Sequence, residues 1–184
     1  MKIWRFLILS TVVQTAFCSA YTPMLRYQES IDPESSVAYG RFEALVSSGT
    51  TCALHLKGIG ANAEDAYFPA STLGYGLVKL KPGKYRIVTV AIASGFQETL
   101  LPFGQPGEFL SAPFQIGAGE GVYLGDHACM NVRTDNSRTS RGQIKVEFRF
   151  QTTGYRMDAT TNRVIELYGQ NLNGKVLRSL EVTK

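Results

Sequence analysis

The chain has 184 residues, 44% of them hydrophobic and 18% charged, with a formal net charge of +4. Removing the N-terminal leader read below takes away 20 residues, Lys2 and Arg5 among them, and leaves 164 residues with a charge of +2. A chain of that size is one domain rather than two and buries roughly 70% of its unfolded surface. Its near-balance of charge argues against a nucleic-acid partner, which needs Lys and Arg clustered on one face.

The opening stretch "MKIWRFLILSTVVQTAFCSA" places Lys2 and Arg5 before an apolar run from Phe6 to Phe17, followed by the small residues Cys18, Ser19 and Ala20. Charge, core length and small-residue exit are those of a secretory signal peptide over residues 1–20. The apolar core is too short for the roughly 20 residues that cross a bilayer, and no later stretch approaches that length. Cleavage after Ala20 would start the mature chain at Tyr21. A lipid anchor on Cys18 is the competing outcome, disfavoured because Phe17 stands where that processing takes a small side chain. The product is expected in the periplasm, on the cell envelope or secreted.

Residues 21–35, "YTPMLRYQESIDPES", carry two prolines and little periodicity and are expected to form an extended leader or tether. The alternative is a strand donated to a partner's sheet edge. From Val37 onward, short β-rich runs are punctuated by Gly, Pro, Ser and Asn. "VAYGRFEALV" and "CALHLKGI" flank "SSGTT" and predict a hairpin. "GYGLVKL" and "YRIVTVAIA" flank "KPGK", where Pro82 and Gly83 suit a type II turn, and predict a second antiparallel pair. "FLSAPFQI", "GVYLGDHAC" and "QIKVEFRFQ" continue the series. In the last, Ile144, Val146, Phe148 and Phe150 alternate with polar residues, the pattern of a strand with one face in the core. Towards the C-terminus, β-branched residues in "RVIEL" and the turn dipeptide Asn173-Gly174 favour two strands joined at "NLNG" over a short helix near residues 160–168. The whole, residues 36–184, reads as a single all-β domain, an antiparallel β-sandwich of about eight or nine strands, with a barrel as the alternative.

Export leaves two cysteines, Cys52 and Cys129, which are expected to pair as a disulfide in an oxidising compartment. A metal site of Cys52, His55, His127 and Cys129 is the sharper alternative. Strand alternation opposes it, because Cys52, Leu54 and Leu56 share one face of "TCALHLKGI" while His55 and Lys57 share the other. The crowd Asp126, His127 and Cys129 in "GVYLGDHACM" poses the same choice: a metal or catalytic centre, or the end of a strand with Cys129 tied to a distant partner. Two adjacent ligands make an incomplete zinc shell, and a nucleophilic cysteine needs a free thiolate that export disfavours. The strand end is the expected reading, with no cofactor, no metal and no catalytic residue assigned.

At "LKPGKYRIVTVAI" and "PFQIGAGEGVYLGD" the chain resembles bacterial exported β-sandwich proteins of transthyretin-like and carboxypeptidase-regulatory-like style, many of them lipoproteins, over about residues 74–126. The resemblance implies a Greek-key sandwich on the envelope side and no established catalytic set. Phe17 departs from the lipoprotein pattern, and "HAC" after "GD" lies outside the likeness.

The remaining motifs have plain readings. "GIGANA" lacks the helix that would present a phosphate site, and "GAGEG" is a turn. Arg133, Arg138, Arg141, Lys145 and Arg149 form a local basic bias, read first as a solvated hairpin tip. In "GFQETLLPFGQPGEF", Leu100, Leu101, Pro102 and Phe103 form an apolar loop cluster, either a contact patch or a cap on the core. "DAYFPA", with Tyr67 and Phe68, offers the same choice. The expected function is a non-enzymatic exported module contacting an envelope protein or other surface component through Leu100, Leu101, Pro102 and Phe103. The alternative is an exported metal-binding protein or hydrolase using Asp126, His127 and Cys129.

Overall fold

The computed structural model describes residues 30–46, 48–61, 63–94, 97–102, 112–133, 146–154, 156–172 and 174–180. The signal segment, most of the leader, Phe103 and the basic positions Arg138, Arg141 and Lys145 lie outside them. In chain order the elements are β1 (Ser36–Leu45), β2 (Thr50–Ile59), β3 (Ala66–Pro69), β4 (Tyr75–Leu80), β5 (Gly83–Ser94), β6 (Gln97–Pro102), β7 (Phe114–Ile116), β8 (Glu120–Arg133), β9 (Val146–Gly154), α1 (Met157–Tyr168) and β10 (Val176–Ser179), with a 3₁₀ turn at Gly169–Leu172. No helix among the described residues is long and apolar enough to cross a membrane.

The strands form two five-stranded sheets. The first runs β10-β8-β1-β4 with β9 also on β8, and the second runs β3-β2-β5-β6 with β7 also on β5. Every pairing in the second sheet is antiparallel. The first sheet is mixed rather than antiparallel throughout, because β1 and β10 both run parallel to β8.

Both hairpins expected from punctuation are absent. β1 and β2, and likewise β4 and β5, lie in different sheets, so "SSGTT" and "KPGK" carry the chain from one sheet to the other. Turn residues specify that the chain reverses, not whether it returns in the same plane. Here the edges of β1 are taken by β4 and β8. Gly83 opens β5 without the positive φ that a type II turn requires. Its value is close approach, since a Cβ there would stand 2.9 Å from the Ala63 Cβ.

Two apolar layers hold these elements. Between the sheets, Ala38, Phe42, Val78, Val122, Leu124 and Cys129 of the first share one core with Cys52, Leu54, Leu56, Phe68, Ile87, Val90 and Ile92 of the second. On the other face of the first sheet, Val37, Tyr39, Leu77 and Tyr123 pack against Val164, Tyr168 and Leu172. Each fully buried Leu, Ile, Val or Phe contributes roughly 1.5–3 kcal/mol relative to exposure.

That second layer explains why the C-terminal hairpin is replaced by α1. Thr160, Thr161, Val164 and Tyr168 recur at spacings of one helical face and are buried there. Tertiary burial of that face outweighs the weak helix propensity of β-branched residues. Gly174 does turn the chain with φ 77°, but it leads from the 3₁₀ turn into β10, which pairs with β8 rather than with the preceding segment.

The end of the expected leader is held. The Ile31 N–H donates to Asn171 Oδ1 at 3.3 Å, and Lys175 Nζ donates to the carbonyls of Pro33 and Ser35 at 2.7 and 2.6 Å.

Candidate functional site

"GVYLGDHACM" is not a strand end. It lies inside β8, a 14-residue strand bordered by β1 on one side and by β10 and β9 on the other. Within it Gly125 has φ 107°, and the register with β1 slips by one residue, Tyr39 facing Tyr123 but Arg41 facing Asp126. This is a β-bulge. Gly40 stands opposite, where an added Cβ would come within 2.7 Å of the Gly125 carbonyl oxygen. The bulge resets the alternation of side chains. Tyr123 belongs to the layer beneath α1, yet Cys129, also odd-numbered, faces the layer between the sheets. Without the inserted residue Cys129 would point to the wrong side.

Cys129 is joined to Cys52 of β2, across 77 positions of sequence and a Cα–Cα distance of 6.5 Å. The bond ties the first sheet to the second. Both sulfurs belong to fully buried residues and are committed to each other.

Asp126 points the other way, under α1. Its Oδ1 accepts hydrogen bonds from the Tyr123 hydroxyl and from Thr160 Oγ1, both at 2.8 Å. A second pin runs beside it, where the Tyr39 hydroxyl and Thr161 Oγ1 lie 3.0 Å apart. Burial, and then the Asp126 carboxylate, push the Tyr123 hydroxyl above its ordinary pKa, so it stays a protonated donor. A buried carboxylate near the start of α1 also complements the positive end of the helix dipole.

His127 faces the inter-sheet core. It is fully buried, its Nε2–H donates to the Leu124 carbonyl at 2.9 Å, and Nδ1 has no partner. Its ring sits 5.2 Å from that of Phe150 and 6.2 Å, edge-on, from that of Phe42. Burial depresses its pKa, with the Leu124 bond and Asp126 opposing. The residue is a neutral imidazole in an apolar layer, not a polar residue at a strand end.

Asp126, His127 and Cys129 therefore do not converge: one anchors a helix, one fills the core and one is a disulfide half. The four-residue set divides as well. Cys52 and Cys129 are bonded, and His55 faces outward from β2. Among the described residues, no three His, Cys, Asp or Glu side chains gather as metal ligands.

Leu100, Leu101 and Pro102 do not lie in a loop. They end β6, an outer strand of the second sheet, opposite Ala91, Val90 and Thr89 of β5. Proline suits such a place because an edge strand needs no inward N–H at its last residue. Phe103 lies outside the described residues. In "DAYFPA" the choice resolves by alternation, Phe68 being in the core and Tyr67 outside.

The outward face of the second sheet carries groups that no single sequence motif brings together. His55 stacks on Tyr67, with centroids 4.7 Å apart and planes 10° from parallel, and its Nε2–H donates to Asp65 Oδ2 at 3.0 Å. Asp65 Oδ1 accepts the Gly58 N–H at 2.9 Å. Burial works to raise the Asp65 carboxyl, but the Gly58 bond, His55 and Lys57 outweigh it and hold the group below its ordinary pKa. Next along β2, Lys57 stands directly opposite Arg86 of β5. Period-two alternation over "LHLKG" and "KYRI" was the signal that would have placed them together.

Comparison with protein-family models, with curated proteins and with solved structures returns no match.

Proposed function

We propose that the chain is a non-enzymatic exported module of the cell envelope or extracellular space, a Greek-key β-sandwich whose rigid frame presents a surface to another envelope component. The observation that carries this reading is the separation of Asp126, His127 and Cys129 onto different duties, with Cys129 bonded to Cys52. Each is consumed by the architecture: an anchored helix, a filled core, a cross-sheet staple. Chemistry at a metal or a thiolate needs at least one of these groups free and accessible. The signal peptide expected over residues 1–20 and the resemblance expected over residues 74–126 point to the same compartment. Of the contact region read from sequence, Leu100, Leu101 and Pro102 fall at the end of β6, where a sheet edge can accept a partner strand.

The test is made on the exported chain purified without reductant. Thiol titration after denaturation is expected to find no reactive thiol at positions 52 and 129, and elemental analysis no stoichiometric metal. Two reactive thiols, or one equivalent of bound zinc, would return the chain to the metal-binding or hydrolytic reading. Capture from an envelope extract with wild type and Leu101→Asp then asks whether β6 carries the contact. A partner lost with the variant places it there, and a partner retained removes that edge.

A further inference from the structure

On the outward face of the second sheet, like charges face one another without an evident structural return. Lys57 and Arg86 are register partners on β2 and β5, so their Cβ atoms stand about 5 Å apart. Lys84 follows two residues along β5, about 7 Å away on the same face, because the intervening Tyr85 points into the core. Opposite Lys84, on β7, stands Gln115. All four side chains are exposed.

Such an arrangement is destabilising when nothing neutralises it. The carboxylates nearby are already engaged, Asp65 hydrogen-bonded to His55 and Gly58 and Glu64 to Lys81, and Asp65 offsets the Lys57 charge only through space, without an ion pair. No ion pair is formed by Lys57, Lys84 or Arg86 among the described residues.

The row runs across the strands, from β2 over β5 to β7, and ends in an amide. We infer that this face binds an anionic glycan, a polymer whose carboxylate or sulfate groups meet Lys57, Arg86 and Lys84 in turn while its hydroxyls meet Gln115. Arginine supplies two parallel donors to a carboxylate or sulfate, and the lysines act as point charges. Two other partners fit less well. A bilayer surface asks for a broad apolar face beside the cations, and here the large apolar neighbour is Ile59, at 37% exposure. A protein partner is fixed by a buried aromatic or apolar centre, which these rows lack. The inference rests on the binding-module reading and adds to it a second contact surface, on the sheet face rather than at the β6 edge.

The experiment uses the mature, disulfide-bonded chain on immobilised polygalacturonate and dextran sulfate, with neutral dextran as reference and vesicles containing anionic phospholipid as a separate arm. Wild type is expected to bind both charged polymers and not the neutral one. The pair Lys57→Ser and Arg86→Ser should weaken binding by about tenfold or more at moderate salt, a difference that fades near 1 M salt as the screening length falls to about 3 Å. The control pair Lys79→Ser and Arg163→Ser removes the same charge from β4 and α1. An equal loss from both pairs would reduce the effect to net charge and overturn the proposal, as would tighter binding to the vesicles than to either polymer, or no retention of wild type. Near-ultraviolet circular dichroism of each variant confirms the fold. Failure here with no free thiols leaves the module reading standing; free thiols overturn that reading whatever the polymers do.

Discussion

Replacing both Cys52 and Cys129 by alanine removes the covalent tie between the sheets. The bond closes a loop of 77 residues, and in the chain-entropy account a loop of that length restrains the unfolded chain by about 4.5 kcal/mol at 25 °C. The packing term is small beside this, because each change deletes one sulfur from a layer that keeps Phe42, Leu54, Ile92 and Leu124 around it. Against a total stability of about 5–15 kcal/mol for a domain, the loss takes a large fraction. With a urea dependence of about 2 kcal/mol per molar, the midpoint should fall by about 2 M. Equilibrium urea unfolding of wild type and double variant, followed by circular dichroism, measures it. Wild type incubated with reductant in mild urea should move towards the variant. A midpoint within a few tenths molar of wild type would refute the reasoning, since it would mean that the two sulfurs do not restrain the unfolded chain.

Three further outcomes are expected. Asp126→Ala removes the carboxylate acceptor that the Tyr123 and Thr160 hydroxyls share and should cost about 1–3 kcal/mol, read by urea unfolding; a loss within experimental error would remove the helix-anchor role. Because burial lowers the His127 pKa from 6.5, the unfolded chain takes up a proton that the folded chain refuses. Its stabilising contribution is complete above pH 6.5 and declines as pH falls below it, by up to about 1.4 kcal/mol per unit. In His127→Met the slope between pH 6.5 and 5 should flatten, and an unchanged slope would assign it elsewhere. Gly40→Ala drives a Cβ to 2.7 Å from the Gly125 carbonyl oxygen and should destabilise by about 1–3 kcal/mol, whereas an unaltered thermal midpoint would show that the bulge relaxes freely.

Much of this architecture is legible in the residues because it is local. Alternation in "TCALHLKG" assigns Cys52, Leu54 and Leu56 to one face and His55 and Lys57 to the other, and the structure keeps that division. The pairing of the two cysteines follows from their number and the expected compartment. The strand at Gln97–Pro102, expected as a loop, pairs locally with β5; the other errors concern partners far apart in sequence. "SSGTT" and "KPGK" report a reversal, but the sheet each strand joins depends on which edges other strands have taken. "RVIEL" has a strand-like composition, and only the apolar face that the first sheet turns away from the second, with Val37, Tyr39, Leu77 and Tyr123, makes a helix the better burial.

The decapeptide at 121–130 shows where the boundary falls. Sequence by itself determined that the chain is β-rich, that Cys52 and Cys129 are available to each other, and that alternation runs along each strand. The tertiary structure decided the phase of that alternation beyond Gly125, because a bulge is a relation between two strands and becomes visible only when β1 lies beside β8. That one-residue slip sends Asp126 to the helix and His127 and Cys129 to the core.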